Sequence, residues 1–193
     1  ALVLLTQSRT ALAGVSASLL VLLGWRALGG ILVAGLGSLA LVAGNPEDWW
    51  YRVETFSFRP GIWQQLLTDL QGNWLFGRGY LLSPKVEAYG YTFDHAHNSY
   101  LASLRDGGII GLILLISILT VAASRAWTMY RGGERIYLAL LLYGMACISM
   151  DFDRLFVHPK ELWVFFWLPI ALIMASYHHS QQPLPARGGL VTP

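Results

Sequence analysis

His97 and Asn98, with His95 two residues earlier, stand where a polar stretch gives way to the apolar run Gly107-Gly108-Ile109-Ile110-Gly111-Leu112-Ile113. Ionisable groups at the edge of a membrane are costly to desolvate, which marks such a position as a functional site. Histidine alone exchanges a proton near neutral pH without help. His97 precedes a helix expected to begin near Asn98, whose positive end disfavours imidazolium. A neutral imidazole there can take a proton from an attacking hydroxyl. Arg9 and Arg59 supply the complementary chemistry. The guanidinium is always charged, and its planar fork grips phosphate oxygens in pairs. Fixed cations also stabilise the charge that grows on a departing pyrophosphate.

The elements that must position these groups are membrane helices. The chain has 193 residues, of which 55% are hydrophobic and 12% charged, with a mean hydropathy of +0.50. A soluble domain carries about 25% charged residues. The net charge of +2 is too small to point to nucleic acid. The single cysteine, Cys147, allows no internal disulfide and lies in an apolar run. The start, Ala1-Leu2-Val3-Leu4-Leu5, has no Met and no basic region, so it reads as part of a longer polytopic protein and not as a signal peptide.

Five apolar segments approach the roughly 20 residues a span needs: 10–24, 27–44, 107–123, 136–150 and 162–177. The first two are joined only by Trp25 and Arg26, which predicts a tight helical hairpin. Gly14, Ser18, Gly35, Gly37 and Ser38 suit close helix–helix approach. Trp49, Trp50, Tyr51, Trp127, Tyr130, Trp163 and Tyr177 cluster at segment ends, as an interfacial belt would. Arg125, Arg131 and Arg135 face one acid, Glu134, in the loop 124–135. The positive-inside rule puts that loop and Arg26 in the cytoplasm. The loop 45–96 and the short loop 151–161 then face outward. Arg9, Arg59 and His97 thereby share the outer face.

Within the long loop, Pro60 followed by apolar residues at 62, 63, 66, 67 and 70 predicts an amphipathic helix on the membrane surface or against the bundle. Gly77-Arg78-Gly79-Tyr80 reads as a turn. Residues 178–193, rich in Pro and Gly, are expected to form a disordered cytoplasmic tail, with His178 and His179 inert. The expected architecture is all-α: residues 1–193 form part of one membrane domain, a polytopic bundle with a large periplasmic loop.

The motifs Thr6-Gln7-Ser8-Arg9-Thr10, Arg59 with Trp63, Gly77-Arg78-Gly79 and His95-Ala96-His97-Asn98-Ser99-Tyr100-Leu101 before a Gly-rich span resemble the C-terminal half of bacterial O-antigen ligases. That superfamily also holds O-antigen polymerases and protein O-oligosaccharyltransferases. The resemblance covers nearly all of residues 6–123 in order. It implies a GT-C-like inner-membrane glycosyltransferase. Such an enzyme moves a glycan from undecaprenyl diphosphate to lipid A–core oligosaccharide on the periplasmic face, with no metal or other cofactor. Carried over by position, Arg9 and Arg59 bind the diphosphate and His97 is the base. His95, Asn98 and Arg78 are supporting candidates. Many relatives place an acid where this chain has Leu104-Arg105-Asp106-Gly107, so Asp106 is a stand-in of open role. The piece alone is expected to be inactive.

Plainer readings stand beside these. Arg59 also suits a surface arginine snorkelling to lipid phosphates, and Arg9 a charge flanking a span. Arg78 and Lys85 suit solvated loop charges. Asp153 and Arg154 read as a structural ion pair. Asp94, His95 and His97 form no metal site on spacing, for lack of a further ligand cluster. A different class, a transporter of anions or lipid-linked sugars, places its polar groups near the bilayer midplane on broken helices. The segments 27–44, 107–123 and 136–150 hold almost no ionisable residue in mid-span. A non-catalytic membrane scaffold gives no reason for the His-Asn element.

Overall fold

A computed structural model describes residues 9–43, 46–82, 85–150, 152–155 and 161–180. Its helices are α1 (Arg9–Leu23), α2 (Ala27–Ala43), α3 (Pro46–Asp69), α4 (Ser99–Arg131), α5 (Ile136–Met150) and α6 (Leu168–Ser180); a π-helical turn, Trp163–Trp167, leads into α6. Two helical stretches, Thr10–Gly37 and Ser99–Arg131, are long and apolar enough to cross a membrane. Only 6% and 22% of their most apolar windows are buried within the chain, in contrast to the mostly buried core helix of a soluble domain. The chain is a mostly helical membrane protein.

Helix α5 is the central post. α1 runs antiparallel to it: Ser18 Oγ lies 2.8 Å from the Ala139 carbonyl, and the Arg135 guanidinium donates to the Leu22 carbonyl at 3.2 Å. The Tyr143 ring sits so close to Gly14 that an added Cβ would stand 2.8 Å from it. On the other side, Leu115, Leu119, Ala122 and Ala126 of α4 meet Leu141 and Ile148 of α5 and Phe166, Ile170 and Ile173 around α6. Lipid is as apolar as these side chains, so close packing over Ala122 and Ala126 and hydrogen bonds such as Tyr137 to Ser176 (2.9 Å) do the holding.

The tight turn at Trp25 and Arg26 is present as a single 3-10 turn, Gly24–Arg26, with Gly24 at φ +63°. The expected close approach of the second segment is not made among the described residues. Gly29, Gly30, Gly35 and Gly37 face open space, and Leu32, Val33 and Leu36 are exposed. Among the described residues, the glycine pattern of α2 meets no other helix.

The loop 45–96 is built, not strung out. α3 begins at Pro46 and carries Pro60 in its interior, not at its start as expected. The amphipathic stripe is real: Ile62, Leu66 and Leu70 are buried at spacing four. Ile62 and Leu66 pack with Val86, Ala88, Ala96 and Ala102, so this face packs on protein. An antiparallel ribbon, β1 (Val86–Ala88) and β2 (Tyr91–Phe93), breaks the all-α expectation. Its two-residue turn, Tyr89-Gly90, has φ +53° and +77°, the primed-turn geometry that matches strand twist. Tyr carries no strong turn signal, which is why the ribbon was not legible. α6 continues to Ser180, three residues into the expected tail; the rest of that tail lies outside the described residues.

Candidate functional site

Asn98 caps α4. Its side-chain carbonyl accepts from the Leu101 amide at 3.0 Å, and its amide donates to the Ser149 carbonyl at 3.2 Å. One residue thus starts the helix and fastens it to the C-terminal end of α5. His97, immediately before, sits at φ +52°, a region costly for any residue with a Cβ. The His95 and His97 rings lie 3.8 Å apart, centre to centre.

Ala96 between them is fully buried. Its N–H donates to Asp153 Oδ1 at 3.1 Å, and its carbonyl accepts from the Trp63 indole at 3.0 Å. Arg59 stands one helical turn before Trp63 on α3. Its guanidinium reaches Met150 Sδ at 3.6 Å, at the end of α5 and next to Ser149. The antiparallel register pairs Leu22 with Arg135, Ser18 with Ala139 and Gly14 with Ala146. That register brings the Arg9 end of α1 level with Met150. Arg59, His95, His97 and Asn98 therefore gather at the C-terminal end of α5, and the backbone brings Arg9 to the same level. Arg78 does not join them through its side chain, which pairs with Asp69 at 3.1 Å. Among the described residues no three His, Cys, Asp or Glu side chains stand close enough to hold a metal ion.

Beneath this cluster lies a buried ionic group whose pairing differs from the one expected. Asp106 takes Arg105 Nε at 2.9 Å and Arg154 Nε at 2.6 Å. Arg105 reaches Asp153 at 3.9 Å. Arg154 thus pairs with Asp106, 48 residues away, and not with its neighbour Asp153 as expected. Arg154 also donates to the Leu82 carbonyl at 2.6 Å, tying down the loop after Tyr80. Arg105 and Asp106 keep 4% and 1% of their side-chain exposure, and such burial is tolerable only because every charge has a partner. Burial pushes the Asp153 carboxyl above its ordinary range; Asp106 adds to this, while the Ala96 amide, Arg105 and Arg154 oppose it. The signal in the sequence was the pair Arg105-Asp106 at the head of an apolar helix, where unpartnered charges are not kept.

The same place holds a break in α4. Gly108 adopts φ +64° and ψ −162°, so Ile109 and Ile110 cannot bond to Arg105 and Asp106 in the helical way. The loop at Trp74–Gly79 replaces all four partners. Arg78 and Gly79 amides donate to the Arg105 and Asp106 carbonyls at 2.7 and 2.9 Å, and the Ile109 and Ile110 amides donate to Trp74 and Leu75 at 2.8 and 3.4 Å. Near a membrane an unsatisfied peptide group costs several kcal/mol, so the stitch is what permits the break. Arg78, a candidate for support of the site, gives its side chain to Asp69 and its amide to the Arg105 carbonyl at this break.

No family model matches the chain, and no solved structure matches it with significance. An O-antigen ligase of Pseudomonas aeruginosa is 33% identical over 196 aligned residues, which cover 97% of this chain and 48% of that relative. The chain thus spans about half the length of the curated relative it matches. With that identity sustained across nearly all of its residues, the chain belongs to the O-antigen ligase superfamily and corresponds to a C-terminal portion of that relative.

Proposed function

We propose that the full-length protein is a lipid-linked glycan ligase. It transfers O-antigen polysaccharide from undecaprenyl diphosphate to lipid A–core oligosaccharide at the periplasmic face of the inner membrane, without a metal. The gathering of Arg59, His97 and the Arg9 end of α1 around the last turn of α5 carries this reading. His97 takes the proton of the acceptor hydroxyl, whose oxygen attacks the anomeric carbon. The bond from that carbon to the phosphate oxygen breaks, and the electron pair leaves on the diphosphate. Arg9 and Arg59 bind that diphosphate and offset its growing charge.

The broken helix α4 is a feature shared with transporters. Here, however, the freed peptide groups are bonded to a protein loop, and Arg105 and Asp106 are occupied with Arg154 and Asp153. Neither is left to carry an ion, which favours chemistry at the rim. Superfamily members that polymerise O-antigen or glycosylate proteins differ in the acceptor alone.

In the full-length protein, His97→Ala is expected to abolish transfer while insertion persists. A blot of surface polysaccharide then shows core without O-chains and glycan accumulating on the carrier lipid. Core bearing one repeat would indicate the polymerase instead, and under-glycosylated secreted proteins with normal polysaccharide the protein transferase. Normal capping by His97→Ala rules out the base.

A further inference from the structure

We infer that Trp63 and Asp153 are positioning residues for His97, acting through the peptide groups of Ala96. The inference rests on the reading of His97 as the base. It begins from an oddity of the backbone. His97 holds φ +52° at a position where glycine would fold without penalty. A histidine kept there needs its neighbours to hold the backbone against relaxation.

Both neighbours are held. On the C-terminal side Asn98 is fixed twice, by the Leu101 amide and by the Ser149 carbonyl. On the N-terminal side Ala96 is fully buried, and each of its two backbone polar groups is taken by one side chain from a distant element. The Trp63 indole comes from α3, 33 residues away, and the Asp153 carboxylate from the segment after α5, 57 residues away. An indole N–H donates and cannot accept, and a carboxylate accepts. The pair therefore matches one carbonyl and one amide, and it fixes the orientation of the peptide unit on both sides of Ala96.

The clamp also joins the two proposed phosphate-binding and proton-accepting parts. Trp63 lies one turn after Arg59 on α3, so the helix that sets the height of Arg59 also sets the Ala96 carbonyl. Asp153 is in turn backed by Arg105 at 3.9 Å, inside the buried ionic group. Rotation of the Ala96 peptide would swing the imidazole away from the acceptor hydroxyl while leaving the arginines in place. The clamp should accordingly govern turnover and not donor affinity. A displacement of about 1 Å at a reacting group can cost about a hundredfold in rate.

The test is transfer kinetics in the full-length protein with a lipid-linked glycan donor. Trp63→Phe keeps the ring and removes the donor. It should lower kcat by about 10- to 100-fold while KM for the donor stays within about twofold of wild type. Asp153→Asn keeps an acceptor oxygen for the Ala96 amide and should retain several times the kcat of Asp153→Ala. His97→Ala, measured alongside, should show no transfer. Wild-type kcat in Trp63→Phe, or a loss confined to KM, overturns the clamp while an inactive His97→Ala leaves the base assignment standing. An active His97→Ala removes that assignment and the clamp with it. Should Trp63→Phe fail to insert, the Asp153 pair decides: equal kcat in Asn and Ala variants overturns the inference.

Discussion

Arg59 is where two chemistries compete for one side chain. A guanidinium at the rim serves a diphosphate through its fork or a lipid phosphate through its charge alone. Its contact with Met150 places it at the end of α5, beside the residue that receives Asn98. A charge-assisted hydrogen bond contributes about 1.5–3 kcal/mol, so loss of the fork should cost roughly 10- to 100-fold in transfer. Arg59→Lys is expected to fall by that much in kcat/KM, measured on the full-length protein. A lipid-snorkelling residue would tolerate lysine, and unchanged kinetics would assign it to that role.

At the scale of elements, the break in α4 decides where the site-bearing turn points. Before Gly108 the helix carries buried Ser99, Ala102, Ser103, Arg105 and Asp106; after it, Ile109, Ile110, Ile113 and Leu114 are exposed, as lipid- or helix-facing residues would be. Gly108→Ala should destabilise the protein. The left-handed region costs an L-residue about 1–2 kcal/mol, and the new Cβ would collide with the Leu75 carbonyl. Straightening the helix instead would strip the Arg78 and Gly79 amides of their acceptors. A lower melting temperature in detergent, with faster hydrogen exchange at those two amides, is the expected result; an unchanged melt would mean the loop does not depend on the break. Local rules explain what was legible here. The helix start near Asn98 was legible because helix ends are settled within about four residues, and Ile62, Leu66 and Leu70 announced an apolar stripe because periodicity is settled within one helix. Asp106 with Arg154, and Ala96 with Trp63 and Asp153, are pairings across 33 to 57 residues, and no local pattern encodes a partner chosen by tertiary contact. The break at Gly108 escaped for the same reason: Gly107-Gly108 permits it, but only the loop at Trp74–Gly79 makes it affordable.

For the whole molecule, the antiparallel packing of α1 and α4 against α5 fixes which groups share a membrane face. The Arg26, Arg125, Arg131 and Arg135 end lies opposite the end where Asn98 meets Ser149. Arg135 itself bonds the Leu22 carbonyl, so the two basic turns stand at one level. Basic short loops are retained in the cytoplasm during insertion, and on that rule rests the proposal that the histidine end faces the periplasm. Two exposed positions report on this without touching the site: Glu134 in the turn between α4 and α5, and Tyr91 in the ribbon over α3. In a full-length protein with Cys147 replaced by serine, Tyr91→Cys should react with a membrane-impermeant maleimide in intact spheroplasts. Glu134→Cys should react only after the membrane is opened. The reverse pattern would turn the arginines and His97 toward the cytoplasm, where a glycan already on the outer leaflet cannot reach them.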